Sequence, residues 1–119
     1  MSKVKKNSFK TKIVQIFRDL NIPANLKGYR YLKDAVEIIY NSEDFVRITV
    51  DIYPTLAKKY GITCGSVERA VRHTIEAAWN RCGLNNYKKY FGDAATKSIP
   101  TNSELINTIV EALRLEEQA

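Results

Sequence analysis

Apolar residues recur every three or four positions along most of this chain, the spacing that gathers them on one face of an α-helix. The first such stripe is Phe9, Ile13, Ile16, Phe17 and Leu20. Ser8 stands where a cap belongs, so a helix is predicted over 9–21, broken by Ile22-Pro23. A second stripe, Leu32, Ala35, Val36, Ile39 and Tyr40, predicts a helix from position 25 or 26 to 40. Gly28 lies near its start. A glycine inside a helix costs about 1 kcal/mol against alanine, and it lets another helix approach closely. Asn41-Ser42-Glu43-Asp44 reads as a turn and cap. Residues 45–53 are ambiguous. Val46, Ile48, Thr49, Val50, Ile52 and Tyr53 favour strand by propensity, whereas Phe45, Ile48, Thr49 and Ile52 share a helical face. No partner strand is visible elsewhere, so helix is the preferred reading.

Pro54 suits the first turn of a new helix, where its missing N–H costs little. That helix is expected to run to Tyr60 and to end at Gly61. Thr63 to Gly65 form the entry to a long helix reaching Arg81, closed by Gly83. A short helix over 84–91 and a loop over 92–100 follow. Thr101-Asn102-Ser103-Glu104 is a capping box, in which a hydroxyl and a carboxylate three residues apart satisfy two free amides at a helix start. The last helix is predicted to reach about position 116, with Leu105, Ile109, Leu113 and Leu115 inward. The expected fold is therefore all-α, about six helices around a helix-turn-helix at 54–81, without a wing. Residues 1–8 read as a flexible basic arm, and 9–119 as one helical domain.

The segment from Leu56 to His73 holds the most specific pattern. Ala57 is small where a second helix would cross. Gly61, four residues on, can take the positive φ of a sharp turn. Ile62 anchors the turn, and Val67, Ala70, Val71, Ile75, Ala78, Trp79 and Cys82 continue an apolar stripe. Ser66, Arg69, His73, Glu76 and Asn80 then face outward, flanked by Glu68 and Arg72. This is the layout of a helix-turn-helix that reads the DNA major groove. An arginine there can donate two bonds to guanine, and a glutamate can accept from cytosine N4. Arg69 and Glu68 are the base-reading candidates, with Arg72 and His73 at the groove wall or on phosphates. Lys58, Lys59 and Arg81 suit backbone contacts, which position a protein without specifying sequence.

Charge agrees with a polyanionic partner. The net charge is +6 and the pI about 9.4. Residues 56–91 carry Lys58, Lys59, Arg69, Arg72, Arg81, Lys88 and Lys89 against only Glu68 and Glu76, while the tail carries Glu104, Glu111, Glu116 and Glu117. The basic excess gathers around the proposed reading unit. Simpler readings compete. Glu68, Arg72 and Glu76, at i, i+4 and i+8, also fit ordinary surface ion pairs. A single histidine cannot build a metal site, and His73 has no identifiable catalytic partner. Cys64 and Cys82 lack metal or redox spacing, so Cys64 reads as a small turn residue and a reduced, cytoplasmic setting is expected. Trp79 reads as core. No apolar run approaches the ~20 residues that span a bilayer. No enzyme machinery, metal or cofactor is expected.

Taken in order, the chain resembles the family of C-terminal effector domains of stage-zero sporulation protein A, the response regulator that commits endospore-forming Firmicutes to sporulation. The matching segments are Ile22-Pro23-Ala24, Lys27-Gly28-Tyr29, Tyr31-Leu32, Tyr53-Pro54, Ala57-Lys58-Lys59, Val67-Glu68-Arg69-Ala70, Arg72-His73, Ala78-Trp79, Pro100-Thr101-Asn102-Ser103-Glu104 and Leu113-Arg114-Leu115-Glu116. The resemblance implies a six-helix fold whose fourth helix, 66–81, reads a box like TGTCGAA. It also implies tandem head-to-tail dimers on adjacent boxes, contact with RNA polymerase, both activation and repression, and a nucleoid-associated location. Glu68 and Arg69 fall on the family's base-contacting positions, and Arg72 and His73 match residues of the same helix near the DNA. The family pattern has arginine immediately before Val-Glu-Arg, where this chain has Ser66. Serine is too short to bridge two acceptors of guanine, a contact worth about 1–3 kcal/mol of discrimination. Gly61 and Gly65 also depart from the pattern, which is expected to loosen the turn slightly. Family proteins carry an N-terminal phosphoacceptor receiver absent from these 119 residues. An excised effector fragment or a short stand-alone relative is therefore expected. The competing function is a protein-interaction or titrating module that binds RNA polymerase or a full-length relative without strong sequence specificity.

Overall fold

The computed structural model describes the backbone of residues 2–82, 84–92 and 98–118, and the side chains of 9–81, 86–92 and 98–116. Among the described residues six α-helices follow one another: α1 Ser2–Asp19, α2 Lys27–Asn41, α3 Tyr53–Tyr60, α4 Cys64–Cys82, α5 Leu84–Phe91 and α6 Asn102–Gln118. No strand occurs among the described residues, and no described helix is long and apolar enough to cross a membrane. The predicted all-α class and the helix-turn-helix, α3 and α4, are both present. Gly83, expected to close α4, and the Cys82 side chain lie outside the described residues.

The apolar stripes found in the sequence supply the core. Ile13, Ile16, Phe17 and Leu20 of α1 are buried, and so are Tyr31, Leu32, Ala35, Val36 and Ile39 of α2. Leu105, Ile106, Ile109, Val110 and Leu113 of α6 join them. Phe9 and Tyr40 are half-buried and stack, with ring centroids 4.2 Å apart. Trp79 is half-buried rather than fully internal and meets the buried Tyr87 edge-on at 5.0 Å. Leu115 is 59% exposed, against the inward position expected for it. The stripe of α6 ends at Leu113.

Helix ends follow local chemistry. Asn21 takes φ 55°, and Ile22 N–H reaches back to the Phe17 carbonyl at 2.9 Å, a left-handed cap that turns the chain at the Ile22-Pro23 break. The capping box forms as read: Thr101 N–H donates to Glu104 Oε1 at 2.8 Å, and Glu104 N–H donates to Thr101 Oγ1 at 3.1 Å. The start of α1 differs. Helical backbone reaches Ser2, across the segment expected to be an arm. Residues 2–8 contain no proline or glycine, and extending an anchored helix adds one bond per residue fixed.

The second difference is at 45–53. Residues 45–47 are not helical, and Ile48–Ile52 form a single π turn running directly into α3 at Tyr53. Ile52 N–H reaches the Arg47 carbonyl at 3.2 Å, and Tyr53 N–H reaches that of Ile48. A regular helix entering Pro54 would press the ring against the carbonyl four residues back, and the wider turn relieves it. Ile48 and Ile52 are buried as the helical face required, but Phe45 is 88% exposed and Thr49 is exposed too.

α2 packs most extensively on α4 and next on α6, while α3 packs on α4. Gly28 makes the α2–α4 crossing possible. A Cβ there would collide with Thr74 Oγ1 and the Ala70 carbonyl. Thr74, itself buried, donates its hydroxyl to that carbonyl at 2.8 Å. Gly28→Val is expected to destabilise the fold by about 1–3 kcal/mol through overpacking. Urea unfolding measures it, and an unchanged midpoint would contradict the crossing.

Asp19 ties α1 to α5. Tyr90 OH donates to Asp19 Oδ2 at 2.6 Å, Lys89 Nζ at 3.1 Å, and Asn86 Nδ2 donates to the Asp19 carbonyl at 2.7 Å. The Tyr90 bond, helped by Lys89 and opposed by burial, holds the Asp19 carboxyl below its ordinary value. A depressed carboxylate stabilises the fold above its unfolded pKa of about 3.9 and ceases to as pH falls through the folded value. Asp19→Asn should thus be less stable than wild type at neutral pH. Urea midpoints across pH should show the gap narrowing below about pH 4; a constant gap would contradict the assignment.

Candidate nucleic-acid interface

The turn between α3 and α4 is fixed by backbone geometry. Gly61 ends α3 at φ 66° and ψ 37°, in the region that costs other residues most. Its N–H and that of Ile62 both reach the Ala57 carbonyl, the latter at 3.0 Å, satisfying the free end of α3. Glycine at this position therefore avoids strain in the turn. Thr63 caps α4: Ser66 N–H donates to Thr63 Oγ1 at 3.0 Å, and the Thr63 hydroxyl donates to Ser66 Oγ at 2.9 Å. Cys64 opens the helix and is exposed. The hydroxyl of Ser66 is thus part of the cap, and it keeps its own proton for an outward acceptor.

Along α4, Val67, Val71, Thr74, Ile75 and Ala78 are buried. Ser66, Arg69, Arg72, His73, Glu76 and Asn80 are at least partly exposed, and Glu68 is half-exposed. At about 100° per residue, Arg69, Glu76 and Asn80 lie opposite the buried line. Glu68 and Arg72 form one flank, Ser66 and His73 the other. Among the described residues, no hydrogen bond or ion pair holds the Arg69 guanidinium.

Glu68 is committed within the chain. Arg72 Nη1 donates to its Oε1 at 2.9 Å and its Oε2 at 2.8 Å. The i, i+4 ion pair weighed in the sequence is real here; exposed pairs of this kind contribute about 0.3–0.5 kcal/mol. A second holder comes from α6. Asn102 Nδ2 donates to the Glu68 carbonyl at 3.1 Å and to Tyr53 OH at 3.0 Å, and lies 3.5 Å from Glu68 Oε2. Burial pushes the Tyr53 hydroxyl pKa up. These groups line an open groove of about 380 Å³ that Glu76 also borders.

The two lysines of α3 part company. Lys58 is exposed. Lys59 Nζ donates to Asp34 Oδ2 of α2 at 2.9 Å, and Tyr60 OH donates to the same oxygen. The Asp34 bond, then its charge, raises the Lys59 ammonium pKa. Arg81 stands roughly 22 Å along the helix axis from Ser66 at 1.5 Å per residue. The fold therefore gathers Ser66, Glu68, Arg69, Arg72 and His73 within about two turns, leaves Lys58 exposed on the preceding helix, turns Lys59 toward α2, and sets Arg81 apart.

Three supporting residues have no local signature. Asn102 holds Glu68 while also donating to Tyr53, and Asp34 holds Lys59, yet each lies far from its partner in sequence. The Thr63 cap does have a signal, a hydroxyl directly before a helical stripe. Among the described residues, no three of His, Cys, Asp and Glu come together as metal ligands would. The family model described as sporulation initiation factor Spo0A C terminal matches residues 13–113. That stretch contains the whole of α2 through α5 and every residue of the outward face of α4.

Proposed function

Because the chain belongs to the sporulation initiation factor Spo0A C-terminal family of DNA-binding effector domains, we propose that it is a sequence-specific regulator of transcription that reads double-stranded DNA through α4. The observation that carries this reading is Arg69: exposed, central on the outward face and uncommitted among the described residues. A guanidinium in that state can enter the major groove and donate two parallel bonds to guanine O6 and N7 without first breaking an internal contact. The preferred duplex is a box resembling TGTCGAA.

Glu68 acts beside it. Its carboxylate has about four lone-pair sites, of which Arg72 takes two, so it can still accept from cytosine N4 while Arg72 remains paired. Ser66 and His73 border the opposite side of the reading face. Ser66 offers one hydroxyl where two donors would bridge guanine, so the position it faces is read more loosely than an arginine would read it. Lys58 contacts phosphate. Two copies sit head to tail on adjacent boxes, and RNA polymerase is the downstream partner in a nucleoid-associated, cytoplasmic setting.

Binding to duplexes with and without the box, over a salt series, tests the proposal. Tighter binding to the box at every salt concentration is expected, and equal affinity would overturn sequence reading. Arg69→Ala should lose about 1–3 kcal/mol of discrimination, the worth of one bidentate base contact. Lys58→Ala should weaken both duplexes alike and flatten the salt slope by about 1. A Lys58→Ala effect confined to the box duplex would contradict its placement on phosphate.

A further inference from the structure

The two flanks of α4 differ in charge, and the difference extends onto α2. On the α6 side, Glu68 and Glu76 border the groove with Arg72 as its only basic residue. On the α2 side, an open groove of about 320 Å³ is lined by Lys27, Tyr31, Ser66, Arg69 and His73, with no acidic side chain. Lys27 and Tyr31 also line a second groove of about 550 Å³ that includes Arg30 and Lys33, again without an acid. The nearby Asp34 carboxylate is taken up by Lys59 and Tyr60.

We infer that DNA lies asymmetrically on this domain, with the phosphate backbone along one wall of the major groove held by Lys27 and Arg30 of α2. The inference rests on the DNA-binding reading above and adds a second helix to the contact surface. A major groove about 12 Å wide accepts a helix about 10–12 Å across, so the two phosphate backbones pass on either side of it. With α4 in the groove, the backbone on the α2 side meets Lys27 and Arg30. They stand at i and i+3 on one flank of α2 and are both exposed. A polyanion settles toward the side whose field is uniformly positive.

Position is fixed as well as charge. Gly28, next to Lys27, lies against the Ala70 carbonyl of α4 with no room for a Cβ, so the first turn of α2 is held close against the helix that carries the reading face. That turn carries no acidic residue, and its N-cap, Leu26, makes no side-chain cap bond. The positive end of α2 therefore adds to the two side chains.

The test measures binding of wild type, Lys27→Gln and Lys27→Gln/Arg30→Gln to box and scrambled duplexes over a salt series. Lys10→Gln, the loss of one charge at an exposed position of α1, is the control for the single variant, and thermal melts verify folding of each variant. The plot of log affinity against log salt should become shallower by about 0.9 for each phosphate that is no longer neutralised. Both duplexes should weaken severalfold and alike, with the box-to-scrambled ratio unchanged. Wild-type slopes in both variants would overturn the inference. So would an equal flattening by Lys10→Gln, or a fall in the ratio without a change of slope. Wild-type protein that binds no duplex would overturn the DNA reading and this inference together, whereas variants that match a binding wild type would overturn this inference alone.

Discussion

The close crossing of α2 over α4 governs what this domain can present. Gly28 has no side chain because the backbone of α4 occupies the space, with the Ala70 carbonyl and Thr74 hydroxyl directly against it. Together with the packing of α3, α5 and α6 on α4, the crossing leaves Val67, Val71, Thr74, Ile75 and Ala78 buried and so determines which side of α4 remains outside. The reading face is exposed as a consequence: Arg69 is outward because Val67 and Val71 are inward. The turn supplies the other constraint. Gly61 in its left-handed conformation, with its own amide and that of Ile62 returned to Ala57, sets the angle at which α4 leaves α3.

The face so presented is not uniform. Glu68 and Arg72 neutralise one another, and Asn102, which also donates to Tyr53, holds Glu68 from α6. Among the described residues, Arg69 stands free between that pair and the basic flank shared with Lys27. A groove-reading helix needs groups that are oriented yet available, and the two conditions oppose one another. Here they are divided between residues. The Glu68 carboxylate is oriented by Arg72 and Asn102, Arg69 is left available, and Ser66 is drawn into the helix cap by Thr63.

What was legible in the sequence was local. The stripes of α1, α2, α4 and α6 give the core because helical period and burial are the same fact read twice. The Thr101–Glu104 box and the Gly61 stop are legible because each operates within four residues. The 45–53 segment was less so. Its apolar run suits strand and helix alike, and the outcome, a single π turn, depends on Pro54 and on the burial of Ile48 and Ile52 while Phe45 stays in solvent. The start of α1 was hidden because lysine-rich residues lack a stripe whether or not they are helical. In the candidate site, the outward residues could be named from α4 alone. Their partners could not: Asn102 reaches Glu68 across 34 positions, and Asp34 reaches Lys59 across 25. Only the folded chain separates an available cation such as Arg69 from a committed one such as Lys59.

The central claim is that the outward face of α4, continued onto the start of α2, is where nucleic acid sits. The most direct measurement is a titration of isotope-labelled protein with a box-containing duplex, followed by amide chemical shifts residue by residue. The account predicts that the largest changes fall on Ser66 to His73, with a second group at Lys27 to Arg30 and little change at Asn107 to Leu113 of α6. Changes centred on α5 or α6, with Ser66 to His73 unmoved, would contradict it.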